Sequence, residues 1–298
     1  KNYLLLHLIV LIWGFTAILG ALISLEAIPL VWYRMSLAVV FIFIYFLICK
    51  KSFKVDRIAI AKFFVTGILI ALHWIFFFKA IKVSNVSVAL VTMSTGAFFV
   101  SLIEPLFFKR SIKVLELVLG FCVCIGLYII FNFESQYRLG IFYALISSLL
   151  SAFFSVFNGL FIQKYDASKI SLYQLFFGVV FITVYLLFTN GFSASFFEIS
   201  KADWGYLLIL GSICTAYAFI TSVKVMKYLS PYTVILTLNL EPIYAIILAL
   251  FIFGEEEKMN PEFYFGAFIV LFVVLLNGMI KNKNRIRNKI KEKSVSKN

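Results

Sequence analysis

The sequence predicts an all-α polytopic membrane protein in which ten transmembrane helices form two inverted five-helix repeats. Three observations support this prediction: the hydropathy of the chain, the spacing of its apolar segments and a similarity between its two halves. Of the 298 residues, 63% are hydrophobic and only 14% are charged, with a mean hydropathy of +1.02. Soluble domains carry about 25% charged residues. The composition therefore excludes soluble, disordered and nucleic-acid-binding proteins.

Clusters of charged residues divide the chain into ten apolar segments, each near the roughly 20 residues that a membrane-spanning helix needs. Pro29 and Pro231 fit first-turn positions of their helices, and Ser84 or Asn85 fits the N-cap of the fourth. The predicted spans are residues 3–23, 29–49, 60–81, 86–108, 114–132, 139–162, 171–189, 204–224, 231–253 and 263–280.

The basic residues predict the orientation of these spans. If the N-terminus is cytoplasmic, the inner segments hold 21 lysines and arginines and the outer segments hold five, while Arg34 lies within a span. Lysine and arginine are enriched in cytoplasmic loops. We therefore expect a bacterial plasma (inner) membrane protein with both termini in the cytoplasm. Residues 281–298 form a tail with eight basic residues, and its expected partner is anionic lipid rather than nucleic acid.

The two halves of the chain share patterns at a nearly constant offset. Similar patterns occur at Tyr33-Arg34 and Tyr173-Gln174, 140 residues apart, and at Lys79-x-x-Lys82 and Lys224-x-x-Lys227, 145 apart; the second register pairs Thr92 with Thr237 and Phe99 with Tyr244. Because each copy has five spans, the second must enter the membrane in the opposite orientation. We therefore predict repeats over residues 1–133 and 134–280, an organisation typical of transporters with a midplane site.

Several motifs resemble those of the EamA type of the drug/metabolite transporter superfamily over residues 3–280. They are Trp13-Gly14, Tyr33-Arg34, the third–fourth and eighth–ninth hairpins, Glu241-Pro242 and Gly254-Glu255. The resemblance implies secondary transport, with spans one to four and six to nine around a cavity and spans five and ten outside. One departure is Ala97, which stands where the ninth span has Pro242, so equal bending of the two hairpins is not expected.

Glu241 is the first candidate for binding substrate or protons. A charge inside a span costs about 2.5–3.5 kcal/mol on insertion scales and is a functional candidate by default. Pro242 can bend the helix and free backbone carbonyls. Thr237, Glu241 and Tyr244 are spaced i, i+4 and i+7, which predicts one common helix face. The alternative is a protonated glutamate that hydrogen-bonds a neighbouring helix as a structural clamp.

His73 and Arg34 are two further candidates within spans. His73 can carry protons or recognise substrate, or it can be a neutral side chain that bonds across a helix pair. Arg34 can extend its charge to the lipid headgroups, or it can face the cavity and pair with a substrate carboxylate.

Polar and aromatic side chains complete the candidate site. Ser148, Ser151, Ser155 and Asn158 follow helical spacing and form a polar stripe, although small hydroxyl residues also mark helix packing. Trp13, Trp74 and Tyr217 can form an aromatic wall, or they can be core and lipid-facing residues.

The leading functional hypothesis is secondary transport, in the export direction, of a small metabolite such as an amino acid or amphiphilic compound, with a proton as the candidate coupling ion. The alternatives are a flippase or intramembrane enzyme acting on a lipid-linked head group, and a non-transporting scaffold. The sequence lacks nucleotide-binding, metal-ligand and nucleophile motifs. We therefore expect neither enzymatic activity nor a cofactor.

Overall fold

The structure, a computed structural model, describes residues 2–109, 114–238, 240–273, 275–276 and 279–280. Seven helical segments in this part of the chain are long and apolar enough to cross a membrane: Asn2–Leu22, Ala27–Ile48, Arg57–Val83, Val86–Phe107, Ser135–Phe161, Ala167–Phe188 and Lys201–Val225. Shorter apolar helices cover Phe121–Asn132, Glu241–Phe253 and Pro261–Val273. The prediction of an all-α polytopic membrane protein is confirmed. The basic tail, residues 281–298, lies outside the described residues.

The helices are numbered in chain order, and several spans contain more than one of them. Their bounds are α1 Asn2–Leu22, α2 Ala27–Ile48, α3 Arg57–Val83, α4 Val86–Met93, α5 Gly96–Phe107, α6 Val114–Phe133, α7 Arg138–Phe161, α8 Ala167–Phe188, α9 Ala194–Phe197, α10 Lys201–Gly211, α11 Ala218–Val225, α12 Pro231–Leu238, α13 Glu241–Phe253 and α14 Pro261–Val273. A π-helical turn, Ser212–Tyr217, joins α10 to α11.

Short polar side chains begin several of these helices. Asn85 accepts a hydrogen bond from the Val88 N–H at 2.8 Å, which confirms it as the N-cap of α4. Asp56 caps α3 and Asp166 caps α8 in the same way. Each cap satisfies a backbone donor that the first helical turn leaves unpaired.

Two of the predicted spans, the fourth and the ninth, are interrupted at positions that the 145-residue register pairs. The fourth span breaks between Met93 and Gly96, and the ninth between Leu238 and Glu241, an offset of 145 residues in both cases. The ninth span has Pro242, whereas in the fourth the Thr95 hydroxyl bonds back to the Thr92 carbonyl at 2.8 Å. Serine and threonine hydroxyls that bond to backbone carbonyls bend helices, so the missing proline does not leave the fourth span straight.

α3 is the central helix of the bundle, because it packs along both α7 and α8. Gly67 of α3 lies against the backbone of Gln174 and Gly178 on α8, so closely that an added Cβ would overlap the Gln174 carbonyl oxygen. Small residues allow helix backbones to approach in membranes. α1 packs against α11 and α13, and α5 packs against α7 and α12.

Crossed ion pairs connect the loop after α2 to the loop after α7. Lys51 Nζ lies 3.2 Å from Asp166 Oδ1, and Lys164 Nζ lies 3.2 Å from Asp56 Oδ2. We call this end of the bundle the Asp56 end. At the other end, the Asp203 end, Asp203 accepts hydrogen bonds from the Ser24 N–H and hydroxyl at 2.9 and 2.6 Å.

The Tyr165 hydroxyl makes a pH-dependent contact at the Asp56 end. It donates to Asp56 Oδ2 at 2.8 Å, and this bond, with the Ala59 N–H and Lys164, lowers the pKa of Asp56 to about 2. The ordinary carboxyl pKa is about 3.9, so the contact stabilises the fold above that pH and ceases to do so as the pH falls through 2. Tyr165→Phe is therefore expected to lower the Tm slightly at pH 7, with a difference that shrinks towards pH 2.

Thermal unfolding of the two proteins in detergent between pH 7 and 2.5 measures this effect. The variant keeps the ring that packs edge-on against Phe63 at 5.4 Å, so packing is matched. A Tm difference of the same size at every pH would contradict the hydrogen-bond explanation.

Candidate functional site

A cavity of about 900 Å³, its opening included, lies between helices from both halves of the chain. Its wall combines one basic, one acidic and several small polar side chains with aromatic rings. The lining residues are Trp13, Thr16, Arg34, His73, Trp74, Phe77, Leu90, Met93, Ser94, Gly96, Ser151, Phe154, Ser155, Asn158, Phe219, Ser222, Met226, Ile235, Leu238, Glu241 and Pro242. A concave apolar site with a few converging polar groups is typical of small-molecule binding.

Arg34 is held inside the bundle by α3 and by the π-helical turn. Its side chain is only 1% exposed, and Nε donates a hydrogen bond to Thr215 Oγ1 at 2.6 Å. The guanidinium carbon lies 4.1 Å from the centroid of the Trp74 ring, a cation–π contact. This placement contradicts the alternative in which Arg34 reaches the lipid headgroups, because its terminal nitrogens are enclosed by the bundle.

One donor of this guanidinium is not used. Arg34 Nη1 is buried and has no hydrogen-bond partner. No carboxylate in the described part of the chain lies within ion-pair distance of Arg34. A buried charge without a partner is costly, so this edge of Arg34 is a candidate binding point for water or a ligand.

The π-helical turn also binds Trp13 of α1. Thr215 also donates from Oγ1 to the Leu210 carbonyl at 2.6 Å, and Trp13 Nε1 donates to the Cys214 carbonyl at 3.0 Å. π-helical turns occur frequently at functional sites. Thr215 is a positioning residue that sequence reasoning missed, since no local pattern marks a π-helical turn.

Glu241 begins α13 at the break in the ninth span and lines the cavity. A carboxylate at this position interacts favourably with the positive end of the helix dipole. Glu241 and Arg34 attract each other electrostatically, although they are not at ion-pair distance. α1 passes close by, because a Cβ on Gly14 would lie 3.6 Å from the Glu241 carbonyl oxygen. The site therefore presents a basic and an acidic group that are not paired with each other.

His73 both lines the cavity and bonds across the α3–α7 contact. Its Nδ1 lies 2.9 Å from the Ser147 carbonyl oxygen, and the Ser147 hydroxyl donates to the His73 carbonyl at 2.8 Å. A proton on Nδ1 fits this arrangement, since a carbonyl can only accept. Phe154 packs edge-on against the imidazole, with ring centroids 5.2 Å apart.

The polar residues of the stripe on α7 have two different environments: one is buried in a helix contact and three line the cavity. Ser148 bonds Thr95 Oγ1 at 2.9 Å and is fully buried, whereas Ser151, Ser155 and Asn158 line the cavity. Asn158 Oδ1 accepts from Gln174 Nε2 at 2.7 Å, and Asn158 Nδ2 is buried without a partner. The cavity wall therefore contains a second unused donor.

The structure brings seven of the ten predicted site residues to the cavity and leaves three outside its lining: Thr237, Tyr217 and Tyr244. The prediction that Thr237, Glu241 and Tyr244 share one helix face is wrong, because the break between α12 and α13 interrupts the helical register. Thr237 bonds back to the Thr233 carbonyl at 2.9 Å. Tyr244 and Tyr217 are 40% and 46% exposed on the surface of the bundle.

Sequence reasoning missed three aromatic residues of the cavity: Phe77, Phe154 and Phe219. The Phe219 ring takes the place in the wall that was predicted for Tyr217, with its centroid 6.0 Å from that of Trp74. A signal for Phe219 was present, since the 145-residue register pairs it with Trp74.

Similarity to known proteins extends over nearly the whole chain. The model of the EamA-like transporter family matches residues 1–132 and 138–279. An uncharacterized transporter of Clostridium kluyveri is 25% identical over 223 residues, which are 72% of this chain and 69% of the relative. A protein of known crystal structure superposes with a TM-score of 0.68 and covers 94% of this chain and 97% of its own. At 13% identity, that likeness concerns the fold alone.

Proposed function

Because this chain belongs to the EamA-like transporter family, we propose that it is a secondary transporter that exports a small metabolite by alternating access. The substrate class is an amino acid or another amphiphilic compound. The observation that carries the proposal is the cavity shared by both halves, in which the buried Arg34 and the partly exposed Glu241 line one wall with indole and phenyl rings.

The proposal includes ten spans arranged as two inverted repeats, residues 1–133 and 134–280. The matching breaks at Met93–Gly96 and Leu238–Glu241 support it, since discontinuous helices near the membrane midplane form the binding sites of many inverted-repeat transporters. Repeats of this kind operate by rocking one part of the bundle against the other around a fixed site.

In this mechanism the contacts at the two ends of the bundle alternate. The crossed ion pairs close the Asp56 end, and the Ser24–Asp203 hydrogen bonds close the Asp203 end. The distribution of lysine and arginine supports a cytoplasmic Asp56 end and cytoplasmic termini in a bacterial plasma membrane. The basic tail, residues 281–298, would then bind anionic lipid.

Solute counterflow in proteoliposomes tests the transport function. Vesicles preloaded with unlabelled amino acids and amphiphilic acids should accumulate the labelled compound without ATP. Ser151→Trp should reduce accumulation to the level of empty liposomes, because the indole would fill space in the cavity that Ser151 lines.

Tyr217→Trp is the matched control, since it introduces the same side chain at a 46% exposed position outside the cavity lining. It should transport at the wild-type rate. Absence of counterflow with every solute, or unchanged transport by Ser151→Trp, would contradict a carrier that uses this cavity.

A further inference from the structure

We infer that the solute carries a carboxylate group, which binds the free edge of the Arg34 guanidinium inside the cavity. This inference rests on the proposed transport function and names the chemical class of its substrate. It concerns a charged donor of the cavity wall whose hydrogen bonds are incomplete.

The hydrogen bonds of Arg34 leave a charged donor unused. A guanidinium offers five N–H donors, and the structure uses the one at Nε for Thr215. Nη1 is buried and unpaired. Because the side chain is 1% exposed, bulk water cannot satisfy this group as it would at a surface. A bound carboxylate would supply both the hydrogen bonds and the opposite charge.

The residues around Arg34 hold its planar fork in one orientation. Trp74 covers one region of the guanidinium with its ring centroid 4.1 Å from Cζ, and the Phe78 centroid lies 5.4 Å from Cζ. The Thr215 bond fixes Nε, and Thr215 is itself fixed by its bond to Leu210. An arginine that is already oriented loses little rotamer freedom on binding, which favours recognition of a planar carboxylate.

The charges of the cavity favour a carboxylate over a phosphate. Arg34 is the only lysine or arginine among the lining residues that the structure describes, and Glu241 contributes a carboxyl group to the same wall. A doubly charged phosphate would therefore meet a single cation and an opposing acid. A carboxylate carries one charge, and its geometry matches a bidentate guanidinium pair. An ammonium group on the same solute would find Glu241 as its partner.

The remaining wall favours an apolar body on this carboxylate. Trp13, Phe154 and Phe219 line the cavity with Trp74. Flat aromatic walls bind apolar or aromatic groups. The inference therefore excludes organic cations without an acid group and uncharged sugars as substrates that bind in this mode.

Matched acid and amide solutes test the carboxylate requirement on the unmodified protein. Counterflow is measured for 3-phenylpropionate against 3-phenylpropanamide, phenylalanine against phenylalaninamide, and leucine against leucinamide. Each pair keeps the apolar body and removes the negative charge. The acids should be preferred by at least about tenfold, since hydrogen bonds to charged groups are worth about 1.5–3 kcal/mol.

Two substitutions test whether Arg34 causes the preference for acids over amides. Arg34→Gln should remove the acid preference, and Arg34→Lys should retain the charge but weaken acid binding, because lysine lacks the planar fork. Thermal shifts in detergent show whether each variant is folded and give a second measure of acid binding. Tyr244→Phe, outside the cavity lining, should keep the wild-type preference.

The outcomes separate the two proposals. Equal transport of acids and amides by the wild-type protein, or an acid preference that survives in a folded Arg34→Gln variant, would overturn the inference and leave the transport function standing. Absence of counterflow for every solute would overturn the transport function, and the inference with it.

Discussion

Glu241→Gln is expected to reduce gradient-driven transport to the background of empty liposomes, while solute exchange at equal pH continues. Glutamine has nearly the same size and keeps hydrogen-bonding capacity, but it cannot bind and release a proton. Glu241 lines the cavity, begins α13 and interacts electrostatically with Arg34. Acidic residues inside spans commonly serve as proton relays in transporters. Loss of the carboxyl group should therefore uncouple solute transport from the proton gradient.

Proteoliposomes with an imposed pH gradient measure the driven rate, and counterflow at equal pH measures exchange in the same preparation. Glu255→Gln is the matched control, because it makes the same change at a side chain that is 83% exposed beyond the end of α13. It should leave both rates unchanged. Gradient-driven transport by Glu241→Gln at the wild-type rate would show that Glu241 does not couple transport to protons. It would favour the alternative in which Glu241 is a structural clamp that hydrogen-bonds a neighbouring helix.

Gly67→Ala is expected to destabilise the folded protein more than any other single methyl addition on α3. The new Cβ would overlap the Gln174 carbonyl oxygen and press on the Gly178 backbone, so neither neighbour can move without shifting a helix. Overpacking of this kind costs about 1–3 kcal/mol. The shift would also displace the Gln174 side chain, which donates hydrogen bonds to Thr66 and Asn158 at 2.8 and 2.7 Å.

Thermal unfolding in detergent, with the yield of monodisperse protein, measures this effect. Gly205→Ala on α10 is the control, since an added Cβ there meets nothing within 4 Å. Alanine is favoured over glycine in a helix by about 1 kcal/mol, so the control should be as stable as the wild type or more stable. A Gly67→Ala protein with an unchanged Tm would contradict the close approach of α3 and α8.

The sequence was sufficient to predict the membrane class and much of the cavity. Arg34 and His73 could be selected because ionisable groups in apolar spans are few and costly, whereas Trp13 and Trp74 are two aromatic residues in a chain that is 18% aromatic. Their common cavity could not be derived in the same way, because it depends on how α1, α2 and α3 pack against the second half of the chain.

Local breaks in helical geometry explain the errors. Thr237 and Tyr244 would share one face only on a continuous helix, whereas α12 ends at Leu238 and α13 begins at Glu241. The π-helical turn rotates Tyr217 to the surface and aims Thr215 at Arg34. Both features change the side-chain register by a fraction of a turn, and a periodicity of 3.6 residues cannot reveal them.

The crossed ion pairs at the Asp56 end have a mechanical consequence. Each aspartate accepts hydrogen bonds from the first turn of its own helix as well as from the lysine of the opposite loop. If the two loops separate, the lysine contacts break and the caps of α3 and α8 remain. α3 and α8 would then separate as rigid bodies, with their first turns still capped. Added salt screens exposed charges, so it should favour this separation.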